Sequence, residues 1–270
     1  MLSGVLRFHY GIDAIYNTEW LSITTIFIID PIFFPNRKLR NKFFEKLILF
    51  RENHFGFPWK VVVLDRIDMC TKEDLEKYHN YNIDVQFGLE TVSEKLLHLI
   101  NKTSQKNIPS YIEKTKELIR YSNQAGINIQ FSFMQNLPGT TENIFNEIHD
   151  FFFKEKNGNH PLMKEYFINI SWRLYEAFPG TRIYEECEER FGSFIYYKNW
   201  WKLPRDDQRD LSRFNKPSAN FSLQNSLQSY KTFIQKAFEL QHNKTQFFFR
   251  SQLYLSQLEH IKKLKKLSIL

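Results

Sequence analysis

Apolar positions in the first 190 residues come in short, near-continuous runs, and between those runs they recur at helical spacing. The run ITTIFIID (23–30) is β-branched and ends on a carboxylate. NRKLRNKFFEKLILFREN (36–53) then sets Phe and Leu three and four apart. The alternation continues. WKVVVLDRID (59–68), NIDVQFGLET (82–91), INIQFSFM (127–134) and the first part of EYFINISWRLYEAFPGT (165–181) read as strands. Helices are predicted over 71–80, 92–102, 108–126, 141–155 and 182–192. Thr71 with acidic residues behind it is a helix start, and Gly126 stands where helices stop. Strands that are apolar along their length and separated by helices belong to a parallel sheet covered by those helices. Five strand–helix units are too few to close an eight-stranded barrel. The fold class predicted is α/β: a partial (β/α) barrel with a parallel curved sheet of about five strands, plus a C-terminal helical appendage.

After residue 193 the pattern changes. Residues 194–222 are aromatic and polar, with two prolines and no period, and 223–270 read as one or two helices. Two domains are expected, a partial barrel over 1–193 and an aromatic connector with a helical extension over 194–270. The stretch FSFMQNLPGTTENIF (131–145) raises a local question, because a strand runs into a Pro-Gly turn and a capped helix. In parallel α/β folds, ligands bind where such strands end.

Composition narrows the classes. The chain has 270 residues, 42% of them hydrophobic, which is enough for one sizeable core. With 27 Phe, a single aromatic is by default a packing residue. The net charge is +7, but the basic residues are scattered and form no patch, so a nucleic-acid partner is not expected. Cys70 and Cys187 are far apart and no C-x-x-C occurs, which excludes a disulfide framework and sets a reduced, cytoplasmic setting as the expectation. No apolar run is long enough to span a membrane, and the first twenty residues lack the order of a signal peptide. The closing HIKKLKKLSIL is read as a solvated helix end and not as a membrane anchor.

Five short pieces in order carry a further signal: IIDPIFFPN, VLDRID, VQFGLETVSEKLLHLINK, GINIQFSFMQNLPGTTEN and RLYEAFPGTRIYE. Together, over residues 23–190, they resemble the radical SAM enzymes, the cobalamin-dependent subgroup above all. In that family three cysteines at C-x-x-x-C-x-x-C spacing hold a [4Fe-4S] cluster, because soft thiolates suit iron–sulfur centres. S-adenosylmethionine bound at the fourth iron is cleaved reductively to a radical. The cofactors supply this chemistry and the fold positions them. The cysteine loop is not among these residues, since only Cys70 and Cys187 are present and neither is in such a spacing. The resemblance therefore implies the downstream portion of a radical SAM-type protein, truncated or degenerate, with no catalytic and no metal-ligating residue of its own and incompetent alone. The alternative is a module from the same barrel that binds an adenosyl ligand or a partner chain. S-adenosylmethionine is the family-level cofactor, weak or absent here. Cluster and cobalamin are expected only in complete relatives. The partner implied is the missing N-terminal half or a complementary chain, and the substrate is a small molecule of unknown kind.

The resemblance also implies site residues. Asp30, with Pro31, ends the first strand, where it either faces the methionine part of the cofactor or leads the next helix. Arg66 either pairs a cofactor or substrate carboxylate or closes an internal ion pair with an aspartate at the barrel rim. Glu90 either accepts from ribose hydroxyls or caps the helix that follows. Gly88 allows close backbone approach or relieves packing. Gln135 is placed facing the cavity just before the Pro138-Gly139 turn. Thr140 or Thr141 caps the next helix, and Leu174, Tyr175 and Phe178 are placed near adenine, with core packing as the alternative for the aromatics. Trp200, Trp201, Tyr196 and Tyr197 either line a substrate opening or dock the tail.

Overall fold

Five strands form one parallel sheet in chain order, β1 (Thr25–Ile28), β2 (Lys60–Asp65), β3 (Ile83–Glu90), β4 (Ile129–Gln135) and β5 (Asn169–Leu174). The computed structural model describes residues 25–28, 32–53, 60–154, 161–175, 178–195, 202 and 215–241. Asp30, Tyr196, Tyr197, Trp200, Trp201 and the tail beyond 241 lie outside the described residues. Helices join the strands: α1 (Arg37–Asn53), α2 (Lys72–Asn80), α3 (Glu94–Leu99), α4 (Ile108–Gln124), α5 (Glu142–Phe153) and the short α6 (Leu162–Glu165). After β5 come α7 (Arg182–Glu185), α8 (Cys187–Phe191), a two-residue ladder of β6 (Phe194–Ile195) with β7 (Asn215–Lys216), and α9 (Leu223–Gln241). Among the described residues, no helix is long and apolar enough to cross a membrane.

The chain groups into two units, residues 1–88 with 124–130, and residues 89–123 with 131–270. In the first unit, β1 pairs with β2 from Thr25↔Lys60 to Ile28↔Val63, and β2 pairs with β3 from Val61↔Ile83 to Asp65↔Phe87. Burial alternates along both inner strands, with Val61, Val63 and Asp65 buried on β2 and Ile83, Val85 and Phe87 on β3. Asn36 opens α1, its Oδ1 accepting from Lys38 N–H at 2.9 Å. Thr71 and Asp74 cap α2 reciprocally, each side chain accepting the other's backbone N–H. Phe33, Phe43, Phe44 and Tyr78 form the aromatic core, with Phe33 edge-on to Phe43 at 5.0 Å.

In the second unit, Phe131 and Phe133 of β4 face inward and Phe133 meets Phe152 of α5 at 6.0 Å. Phe233 of α9, fully buried, packs edge-on to Phe152 at 5.6 Å and Phe153 at 4.6 Å. Leu223, Leu227, Tyr230 and Ile234 continue the buried stripe of α9 at helical spacing.

Three local readings change. The strand expected from residue 165 begins at Asn169, because a helical turn, α6, follows Pro161. The single helix expected over 182–192 is two, divided at Glu186, whose backbone leaves the helical well at ψ 5°. The stretch without a period contributes β6 and β7, too short for any pattern to register.

Candidate functional site

At the end of β2 the sequence places charge, and the fold buries it. Asp65 is fully enclosed beside Arg40 of α1, with Nη1 to Oδ2 and Nη2 to Oδ1 both at 3.2 Å. The Tyr78 hydroxyl donates to Asp65 at 2.8 Å, as does the Arg66 N–H. Arg40 also donates to the carbonyls of Phe33 at 2.8 Å and Phe34 at 3.3 Å, and it lies 3.6 Å from Asp74. These contacts fasten the loop after β1, where Phe34 takes φ +40°, a conformation that bulky residues resist. Burial pushes the Asp65 carboxyl up, against Arg40, Tyr78 and the Arg66 N–H. Burial works to lower the Arg40 guanidinium, but Tyr78, Asp65 and Asp74 carry it upward. Burial, then Asp65, raise the Tyr78 phenol. Nothing in the sequence singles out this network. Its members lie up to 38 positions apart, from Arg40 to Tyr78, and only the fold joins them. Arg66 itself takes the ion-pair geometry, with Nε and Nη2 gripping both oxygens of Asp68 at 2.9 and 2.7 Å. Gly88 is also in this unit, on the half-exposed row of β3.

In the second unit, β3 ends in a tight turn. Thr91 N–H donates to Leu89 O at 2.7 Å across Glu90, whose φ is +62°. That sign belongs to the rare, strained form of the three-residue turn. Glu90 Oε1 meets Lys102 Nζ at 3.3 Å. Its Oε2 is buried and has no hydrogen-bond partner. Lys102 is held in place by the end of α3. Asn101 at φ +51° is the left-handed stop, Asn101 N–H donates to His98 O, and Lys102 N–H reaches back to Leu97 O. The capping alternative for Glu90 does not hold, because α3 starts at Glu94 behind Ser93.

β4 ends in the same backbone region, with Asn136 at φ +70°. Gln135 differs from the expectation. It is buried and falls in the row of Phe131 and Phe133, and Phe133 meets α5. Ser132 and Met134 occupy the other, half-exposed row. A strict count by two from Phe133 would have found this. The Pro138-Gly139 turn closes with Thr140 N–H donating to Leu137 O at 3.0 Å. Gly139 has φ +88°, and a Cβ there would stand 3.0 Å from Leu99 Cδ1. Its N–H donates to Pro217 O at 2.7 Å, so a residue of the C-terminal segment sits on this turn. Thr141, not Thr140, caps α5, with its hydroxyl accepting from Ile144 N–H at 3.4 Å.

Tyr175 N–H donates to Gln135 O at 2.7 Å, tying the end of β5 to that of β4. Its phenol is pushed up to about 12 by burial and by Cys187, with Thr181 hydrogen bonding against the shift. Tyr175 thus stands near Thr181, the cap of α7, and Cys187 of α8. Leu174 closes β5, and Phe178 is exposed, its carbonyl taking the Thr181 hydroxyl at 2.7 Å. A separate groove of about 840 Å³ lies between α3, α4 and α5, lined among others by His98, Ile112, Lys116 and Phe151. It belongs to the helices and not to the strand ends. Among the described residues no group of three His, Cys, Asp or Glu side chains is placed to hold a metal ion, and Cys70 and Cys187 are each buried and free.

No family model matches the chain, and no curated protein sequence matches it. Similarity is found among solved folds. TsrM from Kitasatospora setae, a radical S-adenosylmethionine methyltransferase with cobalamin and a [4Fe-4S] cluster bound, superposes with a TM-score of 0.62 at 14% identity, over 94% of this chain and 54% of that one. The same methyltransferase with tryptophan substrate and the SAM analogue aza-SAM gives 0.55 at 15% identity, over 85% and 45%. Elp3 from the archaeon Methanocaldococcus infernus, with an N-terminus deletion, gives 0.47 at 14% identity, over 68% and 44%. The chain spans about half the length of the methyltransferase that it matches. Its parallel sheet and surrounding helices have the fold found in that radical S-adenosylmethionine methyltransferase.

Proposed function

We propose that these residues are the ligand-facing downstream part of a radical SAM-type barrel, and that the cluster needed for the chemistry is held by cysteines outside them. The observation that carries this reading is Glu90. A carboxylate at a strand end, on strained backbone, with one oxygen on Lys102 and the other buried without a partner, is arranged to accept hydrogen bonds from a ligand. That fits the hydroxyls of an adenosyl group, which Glu90 would hold, with Lys102 fixing the carboxylate. Cleavage of S-adenosylmethionine would be the chemistry a complete protein draws from the bound ligand. A [4Fe-4S] cluster does not fit the residues present, because two separate buried thiols stand where three are required. The missing half, or a complementary chain, is the partner this reading requires.

Calorimetry with S-adenosylmethionine tests it. Without iron chelation, only nucleoside and carboxylate contacts remain. Hydrogen bonds to a charged group contribute about 1.5–3 kcal/mol each, and ordering a ligand costs several kcal/mol. Binding on the order of millimolar is expected, weakened about tenfold or more by Glu90→Ala. Submicromolar binding abolished by Glu90→Ala would instead establish an autonomous adenosyl-binding module. Binding unaffected by the substitution would displace the site from the end of β3.

Iron gives a second, independent measurement. After anaerobic reconstitution with iron and sulfide, the purified chain should retain no stoichiometric cluster. About four iron atoms per chain, lost on Cys70→Ser or Cys187→Ser, would mean that the chain supplies its own ligands.

A further inference from the structure

We propose that α9, together with residues 215–222 leading into it, is a strap across the end of β4 that acid releases. The inference concerns only the second unit and stands whatever the site binds. The strap has two fastenings. At one, Pro217 O accepts from Gly139 N–H at 2.7 Å, on the turn that ends β4. Nearby, Ala219 lies beside Gly192, its N 3.7 Å from where a Cβ on Gly192 would stand, an ordinary packing distance. At the other, α9 lies on α5 through Phe233, Lys236 and the rings of Phe152, Phe153 and His149.

The second fastening is the one that titrates. Lys236 Nζ lies 3.2 Å from His149 Nε2 and 4.9 Å from the centre of the Phe153 ring. Only a neutral imidazole can accept from an ammonium. The tautomer carrying its proton on Nδ1 does so while turning that proton toward Asp150 Oδ1, 3.8 Å away. The charged groups acting on the ring are Lys236, from α9, and Asp150, from its own helix, and Asp150 is also held by Lys154 at 2.9 Å. Burial, then Lys236, hold the ring's proton affinity below its ordinary value, and Asp150 opposes them. A lowered value in the docked state means that docking is fully supported above the ordinary imidazole range. That support is lost as pH falls through this range toward the lowered one. A protonated ring would set two cations against each other on the face where α9 docks. Because α9 begins directly after residues 215–222, its loosening would free the carbonyl that covers Gly139.

Hydrogen exchange on the full chain, at about pH 7.5 and about pH 5.5 and corrected for intrinsic rates, reads the strap directly. Amides of α9 and the Gly139 N–H that the Pro217 carbonyl covers should lose protection at the lower pH while those of α4 keep theirs. In His149→Gln, which still accepts from Lys236, the loss should vanish, and in Lys236→Met it should shrink. Equal protection at both pH values, or the same loss in His149→Gln, overturns the proposal. If either variant folds poorly, the proton titration of His149 in the unmodified chain decides it. A ring titrating at or above its ordinary value removes the basis of the switch, and one titrating below it supports the strap.

Discussion

Arg40→Ala is expected to destabilise the first unit by about 3–5 kcal/mol, the range for removing one member of a buried ion pair. The side chain is 2% exposed and its partner Asp65 is fully enclosed. Alanine leaves a buried carboxylate with only the Tyr78 hydroxyl and the Arg66 N–H as donors. It also strips the Phe33 and Phe34 carbonyls of their side-chain donor, and the left-handed Phe34 loses what holds it. Urea unfolding followed by near-ultraviolet dichroism of the aromatic core would measure the loss. The deficit should also depend on pH. Without Arg40, the burial that already raises Asp65 acts with less opposition. A folded value above the unfolded one adds stability below the ordinary carboxylate range and loses it as pH rises. The variant should therefore come closest to the parent in acid and fall furthest behind near neutrality. A deficit under about 1 kcal/mol, or one independent of pH, would mean that the network is not the clasp its geometry describes.

The second large effect is expected at Phe233. This ring is fully buried and edge-on to two rings of α5. Phe233→Ala should cost about 3–5 kcal/mol, the transfer loss plus the cavity left behind. The cost should fall first on the docking of α9 and only then on the sheet, since α9 contributes no strand to the five. Limited proteolysis would show cuts within 223–241 at protease levels that leave β3 to β5 intact. Simultaneous loss of both would show that α9 and the sheet form a single cooperative unit. Unlike acid release, this loosening should occur at every pH, which separates the apolar part of the fastening from the titrating part.

Strands are legible as short, near-continuous apolar runs, because strands of a parallel sheet covered by helices are apolar on both faces. The run at 59–68 is β2, shortened to Lys60–Asp65 because Arg66–Cys70 turns toward the capped α2. The Thr71 helix start is readable because capping is local, whereas the choice between Thr140 and Thr141 at the next start needs the structure. The site was only partly legible. Glu90 stood out by the residues around it, but nothing in the identity of a glutamate announces a positive φ, whereas a glycine would have. Gln135 shares the buried row of Phe131 and Phe133, a placement visible only when the alternation is carried one residue past the apolar run. The Arg40–Asp65–Tyr78 clasp joins residues that only tertiary structure brings together, and no periodicity encodes a pairing of that kind.

The backbone at position 90 would accommodate a glycine with less strain than the glutamate it carries. A library of this chain screened for folding alone should therefore drift toward glycine there, and a library screened for ligand retention should hold on to the acid. The two screens would disagree at this position and agree at a neighbour such as Leu89, where a buried apolar side chain serves both. Disagreement of that sort sorts residues by what they are for without knowledge of the ligand, and it makes the left-handed strand end a place where the demands of folding and of binding can be read apart.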